Sequence, residues 1–366
     1  MRRFLHTFGL VCLLIAIFST AAPAQEKTSA NDPRLEKWLK RFPDADANGD
    51  GVLTAQEAIA YRARMQGEGG EAAKGKKAGS PRIAPTQANV KYGPHERNVF
   101  DFWKAESAEP TALVVFIHGG GFISGDKAKA SPEAIRQCLD AGVSFMAINY
   151  RFREHAALQD ILRDAARAIQ FVRHNAAEYN IDPKRIACYG GSAGAGTSLW
   201  LATHDDLADP ANADPVLRQS SRIAAAGCQS GQATYDFTKW DAVVGPFKDE
   251  WLRSPNERVE IYRFKSKEDF DTPEGKKVLA DCDMLGLITS DDAPIYMSCN
   301  VPNVEPTNRG QYVHHPRHAL AVKEKCDAAG VECVTVLGDK AGEKDAPRES
   351  VIDFLLRHLS AQAKAK

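Results

Sequence analysis

From about residue 89 the chain alternates short apolar runs with longer stretches of helical period. Ala112 to Ile117, Val143 to Tyr150, Arg185 to Tyr189, Ile223 to Cys228, Ala293 to Ser298 and Val331 to Leu337 have strand length. Continuous apolar runs of this kind fit strands buried on both faces, as in a parallel sheet. Between two of them, Leu158 to Tyr179 places Ile161, Ala165, Ala168, Ile169 and Val172 on one helical face, and Glu349 to Leu359 makes a last helix. The repeated β-α units predict an α/β fold, a mainly parallel central sheet with helices on both faces. Upstream, Leu35, Trp38, Leu39 and Phe42 follow i, i+3, i+4, i+7, an amphipathic helix, and Ala55 to Met65 continues as a second helix free of Gly and Pro. Residues 67–88 are rich in Gly, Lys, Ala and Pro without an apolar period, and read as a linker.

The first 24 residues belong to another category. Arg2 and Arg3 precede the apolar run Leu10 to Phe18, and Ala22-Pro23-Ala24 offers a small-x-small site before Gln25. The run is too short to cross a bilayer, so residues 1–24 read as a cleaved signal peptide and the protein as exported, periplasmic or extracellular. No other long apolar run follows, which predicts no membrane span in the mature chain. Over the 366 residues, 43% are hydrophobic and 26% charged, an ordinary globular balance that excludes a wholly disordered or collagen-like chain. With 47 basic and 48 acidic residues, no positive excess points to nucleic acid. Outside the leader, Cys138, Cys188, Cys228, Cys282, Cys299, Cys326 and Cys333 form no CxxC or Cys/His metal spacing, and the odd number leaves at least one thiol unpaired.

Residues 46–57 read DANGDGVLTAQE. Asp46, Asn48 and Asp50 stand at positions 1, 3 and 5, Gly51 at the sharp turn, Val52 with its carbonyl at 7, Thr54 at 9 and Glu57 at 12. Residues 31–66 thus resemble an EF-hand helix-loop-helix with structural calcium in the loop. Only one such loop exists, whereas EF-hands normally pair, and an isolated extracellular loop of this kind implies a weak site, Kd about 10⁻⁴–10⁻³ M.

Two motifs in the core carry chemistry. Gly190-Gly191-Ser192-Ala193-Gly194 follows a predicted strand and opens a helix, the context of a nucleophile elbow. His118-Gly119-Gly120-Gly121-Phe122 ends the earlier strand, where glycines bring backbone amides close to a developing oxyanion. His118 reads as a brace for that loop. Together with Asn149-Tyr150-Arg151, Asp164-Ala165-Ala166-Arg167-Ala168 and Ile181-Asp182-Pro183-Lys184-Arg185-Ile186, these motifs make residues 89–366 resemble the α/β-hydrolase fold in its hormone-sensitive-lipase-like carboxylesterase branch. The resemblance implies ester hydrolysis with Ser192 as nucleophile, and an oxyanion hole from the Gly119, Gly120 and Gly121 loop and the Ala193 amide. It implies no cofactor for catalysis, and a small-molecule or carbohydrate ester as substrate.

The resemblance breaks where the acid and histidine belong. The strand at Ile295 leads into Cys299-Asn300-Val301-Pro302-Asn303-Val304-Glu305 without an aspartate, and the last strand leads into Gly338-Asp339-Lys340-Ala341-Gly342-Glu343 without a histidine. His358 is the only later histidine and sits within the C-terminal helix. His314 and His315 have the intrinsic pKa a general base needs, and precede Pro316, which suits the first turn of a helix. Either can serve Ser192; adjacency to the rigid proline favours His315, with Glu305 as the acid, and Glu343 is the fallback base. A non-catalytic binding protein that kept the elbow and lost the histidine is the competing reading, decided by whether an imidazole reaches the Ser192 hydroxyl. The long stretch 234–290 carries Tyr235, Phe237, Trp240, Phe247, Trp251, Tyr262, Phe264 and Phe270, most expected as local core and some at a pocket mouth.

Overall fold

The computed structural model describes residues 28–54, 56–58, 61, 82–338 and 349–364. The predicted leader, most of the linker and Glu343 lie outside the described residues. The chain divides into two units, residues 1–79 and 80–366.

In the first unit the amphipathic stretch forms the helix Pro33–Arg41. Its apolar face, Leu35, Trp38 and Leu39, packs with Phe42 and Tyr61 around the buried Ala45, Leu53 and Ala58. Asp46 holds the loop by accepting from the Gly49 N–H (2.9 Å) and the Gly51 N–H (2.7 Å), while Asp50 Oδ1 accepts from the Val52 N–H (2.8 Å). Gly51 takes φ +81° at the turn, a conformation that an L side chain resists. The loop's outer edge is paired from within the chain. The Ser29 N–H donates to the Leu53 carbonyl (2.8 Å), the Leu53 N–H donates to Ser29 Oγ (2.8 Å), and Thr28 bridges Thr54 antiparallel. Residues 28 and 29 therefore occupy the edge that a second loop fills in a paired arrangement.

The second unit is built on eight strands. These are β1 Gln87–Lys91, β2 Val99–Trp103, β3 Thr111–Ile117, β4 Ser144–Ile148, β5 Ile181–Gly191, β6 Ala226–Gln229, β7 Ile295–Cys299 and β8 Cys333–Leu337. Their order is β1-β2-β4-β3-β5-β6-β7-β8. The β1–β2 and β2–β4 pairs are antiparallel and the remaining five pairs are parallel. Alternate residues of the apolar strands feed opposite faces. Leu113, Val115 and Ile117 pack with Leu162, Ile169, Leu199 and Val322 in one layer. Ala112 and Val114 pack with Ile135, Phe145, Phe354 and Leu355 in the other. At about 25 cal/mol per Å² of apolar surface, this two-sided burial is the main favourable term in folding. β1 begins inside the stretch read as linker. There the Ile83 carbonyl accepts from the Trp103 indole (2.9 Å) and Thr86 Oγ1 from the Lys104 N–H (2.9 Å), so the segment is already tied to β2. All seven cysteines outside the leader are buried, and no disulfide joins any two of them.

The topology places the site. After β3 the chain moves to β4 on one side, then returns to lay β5 on the other. The loops leaving β3 and β5 therefore part at the carboxyl ends of adjacent strands, where open α/β sheets bind ligands. Those loops are HGGGF and GGSAG.

Candidate active site

Ser192 sits at the tip of a turn between β5 and the helix Ala193–Thr203, with φ +53° and ψ −117°. Small neighbours are forced by close packing. A Cβ on Gly190 or on Gly194 would fall onto the Ile117 carbonyl at the end of β3. The strained serine is held by its own N–H, which donates to the Gln229 carbonyl (2.9 Å), and by its carbonyl, which accepts from the Gly196 N–H (3.0 Å).

The loop after β3 is braced as its histidine suggested. His118 is fully buried and stacks on Tyr150 with centroids 4.2 Å apart. Its Nδ1 lies 2.8 Å from the Gly119 carbonyl, and Nε2 lies 3.3 Å from an Arg97 guanidinium nitrogen. Arg97 can only donate, so Nε2 accepts and the proton resides on Nδ1. Burial pushes the His118 pKa down to about 4, which keeps the ring neutral at physiological pH. Gly120 has φ +119°, and a Cβ there would meet the Ser124 carbonyl. The Gly119 backbone passes directly over the elbow, where a Cβ would stand 3.4 Å from the Ser192 Cβ.

His314 Nε2 lies 2.8 Å from Ser192 Oγ. This residue ends the one-turn helix Arg309–Val313 that follows β7. Two bonds fix it: the Cys299 thiol reaches the His314 carbonyl (3.0 Å), and the Gln232 amide donates to the Val313 carbonyl (2.7 Å). Burial lowers the His314 pKa, and the nearby Gly310 carbonyl offsets part of that shift. Nε2 faces the serine as the acceptor, so in the neutral ring the proton resides on Nδ1. Among the described residues no carboxylate pairs with this ring.

The neighbouring residues do not converge on Ser192. His315, the favoured base in the sequence, is the N-cap of the helix Pro316–Ala329. Its Nδ1 accepts from the Arg317 N–H (3.2 Å) and its Nε2 donates to the Val304 carbonyl (2.9 Å), so both nitrogens are committed to local structure. The proline that made His315 attractive is the cause, because the residue before it takes the cap position. Glu305, read as the acid, is exposed and makes no hydrogen bond among the described residues. His318 is fully buried, with Nδ1 accepting from the Ala233 N–H (3.3 Å) and a pKa pushed down by burial to about 3. His358 lies on the C-terminal helix beside Glu332 (3.4 Å). Gly119, Gly120, Gly121 and Ala193 do gather around the serine, with Gly120, Gly121 and Ala193 lining the same cavity.

That cavity, about 320 Å³, opens on Ser192 and His314. Of the aromatics in the long insert, Tyr235, Phe237, Trp240 and Phe247 line it. Tyr262, Phe264 and Phe270 pack on one another instead. A group with no sequence signal stands at its edge. The Glu257 carboxylate accepts from both Arg309 terminal nitrogens (2.8 and 2.9 Å), from Arg153 (3.3 Å) and from the Arg253 N–H (2.9 Å). Burial alone would raise the Glu257 pKa, but the Arg253 amide and Arg309 outweigh it and hold the carboxyl below its ordinary value.

Known proteins resemble this chain over the same region. The BD-FAE family model matches residues 101–252, a span that contains both glycine motifs and stops short of His314. A probable carboxylic ester hydrolase of Mycobacterium tuberculosis, LipM, is 31% identical over 162 residues, 43% of this chain and 37% of its own length. The carboxylesterase NlhH of the same organism is 29% identical over 172 residues, 47% of this chain and 50% of its own. A probable isoprenylcysteine alpha-carbonyl methylesterase of Arabidopsis thaliana is 32% identical over 138 residues, covering 37% of this chain and 29% of that protein. The chain thus spans half or less of the length of these relatives. Among solved structures, a truncated carbohydrate esterase from gut microbiota superposes with TM-score 0.58 at 20% identity, over 78% of this chain and all of that one. An acetyl ester-xyloside bifunctional hydrolase from Caldicellulosiruptor lactoaceticus gives TM-score 0.52 at 17% identity, over 77% of this chain and 98% of that one. The second unit has the α/β-hydrolase fold, and the stretch matched by the BD-FAE family holds its elbow and its glycine loop.

Proposed function

We propose that the chain hydrolyses carboxylic esters through an acyl-enzyme on Ser192, with His314 as the general base and acid. The observation that carries this reading is the 2.8 Å approach of His314 Nε2 to Ser192 Oγ at the tip of the elbow. The esterase relatives support it. His314 Nε2 takes the hydroxyl proton as Oγ attacks the ester carbonyl. The negative charge that develops on the carbonyl oxygen is met by the Ala193 amide and by amides of the Gly119 to Gly121 loop. The tetrahedral adduct collapses, His314 returns the proton to the departing alcohol, and the acyl group stays on Ser192. Water then attacks with His314 again as base and releases the acid. Among the described residues no carboxylate pairs with the His314 ring, and the Gly310 carbonyl is the group that favours its charged form. A neutral carbonyl stabilises the imidazolium less than a carboxylate and burial lowers the ring's pKa, so His314 is a weaker base than a triad histidine, while its imidazolium is a stronger acid toward the departing alcohol. A fluorophosphonate probe should label the wild-type protein and leave Ser192→Ala unlabelled. Wild-type protein that stays unlabelled between pH 5 and 9 would refute the reading.

We further propose that the loop 46–57 takes calcium and that the mature protein is exported. The loop's turn at Gly51 and its self-paired edge support the first, since residues 28 and 29 relieve the need for a second loop. Among the described residues no three His, Cys, Asp or Glu side chains converge on one point, and Glu57 accepts from Thr54 Oγ1 (2.8 Å). Calcium would therefore draw Glu57 across the loop, with Asp46, Asn48, Asp50 and the Val52 carbonyl as the other ligands. Calorimetry should show weak binding, Kd about 10⁻⁴–10⁻³ M, lost in Glu57→Gln, and equal affinity in both forms contradicts it. The Ala22-Pro23-Ala24 site supports export, and a mature N-terminus at Gln25 in the secreted fraction tests it.

A further inference from the structure

The cavity above Ser192 is apolar in its aromatic part and carries an excess of positive charge. Arg153, Arg253, Arg258 and Arg309 line it against a single acid, Glu257, an excess of three positive charges. These arginines are not equivalent. Arg309 and Arg153 are committed to the Glu257 carboxylate. Arg258 lies over the Phe247 ring, 4.9 Å from its centroid. Arg253 donates its main-chain N–H to Glu257, but its guanidinium makes no hydrogen bond or ion pair among the described residues.

The position of that free guanidinium is informative. A Cβ on Gly121 would stand 3.1 Å from Arg253 Nη1 and 3.3 Å from Nη2, so the group rests on the same glycine loop that passes over Ser192. Burial and the nearby Arg309 lower the Arg253 pKa, and Glu257 offsets this only in part, so positive charge in the cavity is not neutralised from within. Arg253 is an exposed residue that lines the cavity, so its donors stay open to solvent and to a bound ligand. A planar guanidinium with its donors open to a cavity matches a carboxylate in geometry and charge.

We infer that the ester cleaved at Ser192 carries a carboxylate, and that the Arg253 guanidinium binds it. The inference rests on the ester hydrolase reading and names the substrate class of that site. The aromatic lining takes the apolar remainder of the molecule, while Glu257, Arg153 and Arg309 hold the segment around Arg253 in place. One charge-assisted contact of this kind gives about 10- to 100-fold in affinity.

Equilibrium binding tests it without relying on turnover. The full-length Ser192→Ala protein is titrated with para-acetoxybenzoate and its neutral partner para-acetoxybenzamide, which place the carboxylate on the alcohol side. A second pair, the mono-para-cresyl ester of glutaric acid and para-cresyl valerate, places it on the acyl side. In at least one pair the acid should bind about 10- to 100-fold tighter. High salt should reduce that preference, Arg253→Gln should abolish it, and Arg253→Lys should restore part of it. Equal binding of acid and neutral partner in both pairs overturns the proposal, as does a preference that survives Arg253→Gln. Turnover of neutral para-nitrophenyl acetate by the wild-type protein reports separately on the ester hydrolase reading.

Discussion

Exchanging His314 and His315 in turn separates chemistry from architecture, because the two are adjacent in sequence and opposite in use. His314→Gln removes the only imidazole within hydrogen-bonding distance of Ser192 Oγ among the described residues. A positioned general base is worth about 10²–10⁴ in rate. No carboxylate pairs with His314 among the described residues, so its loss belongs in that range, not in the roughly millionfold loss of a full triad. At 1.36 kcal/mol per tenfold this is about 3–5 kcal/mol of transition-state stabilisation. His315→Gln instead removes an N-cap acceptor and the bond to the Val304 carbonyl. A lost cap costs about 0.5–2 kcal/mol of stability, and turnover should stay within a few-fold of wild type. The assay is kcat/KM for para-nitrophenyl acetate beside urea unfolding of the same preparations. A His315→Gln protein that folds normally but loses more activity than His314→Gln refutes the reasoning.

Gly194→Ala should be destabilised by about 1–3 kcal/mol in urea unfolding, because the added methyl meets backbone on β3 and no flexible side chain can yield. Its turnover should fall about 100-fold as the elbow shifts, and wild-type stability would contradict the packing argument. Glu305→Gln should leave kcat/KM within about twofold, since the carboxylate is exposed and unbonded; a loss comparable to that of His314→Gln would restore it as the acid. The base must be neutral to work and burial lowers the His314 pKa, so activity should persist below pH 6.5 and fall as pH drops through that lowered value; a kcat/KM profile with its acid limb above 6.5 contradicts this. His118 and His318 have folded pKa values of about 4 and about 3, below the 6.5 of the unfolded chain. The unfolded state therefore binds the extra proton, and stability is lost as pH falls below 6.5. At pH 5 each ring should cost about 2 kcal/mol, so equal urea stability at pH 7 and 5 would refute the linkage.

The parts of the site that were legible in the sequence are those set by local backbone geometry. Gly190, Ser192 and Gly194 announce the elbow because the turn itself requires small neighbours, and the apolar runs announce β3 to β8 because both faces of each are covered. β1 and β2 were not foreseen: they are short antiparallel strands, and in β2 intermediate and buried residues alternate at first. The choice between His314 and His315 failed for a reason that was itself local. Pro316 fixes a helix start, and the residue before it becomes the cap, so proline rigidity argues for His314 as the free imidazole. The Glu257 cluster had no such signal, since Arg153, Arg253 and Arg309 come from three separate segments that only the tertiary fold assembles.

The central claim is a covalent acyl intermediate on Ser192 formed with help from His314. Acid-quenching the reaction with para-nitrophenyl acetate in its first turnovers, followed by peptide mass spectrometry, tests it most directly. The account predicts an acetyl adduct on the peptide containing Ser192, abundant in the wild type, scarce in His314→Gln and absent in Ser192→Ala. Turnover of the ester with the acetyl group on another residue, or an adduct that forms equally fast without His314, would contradict it.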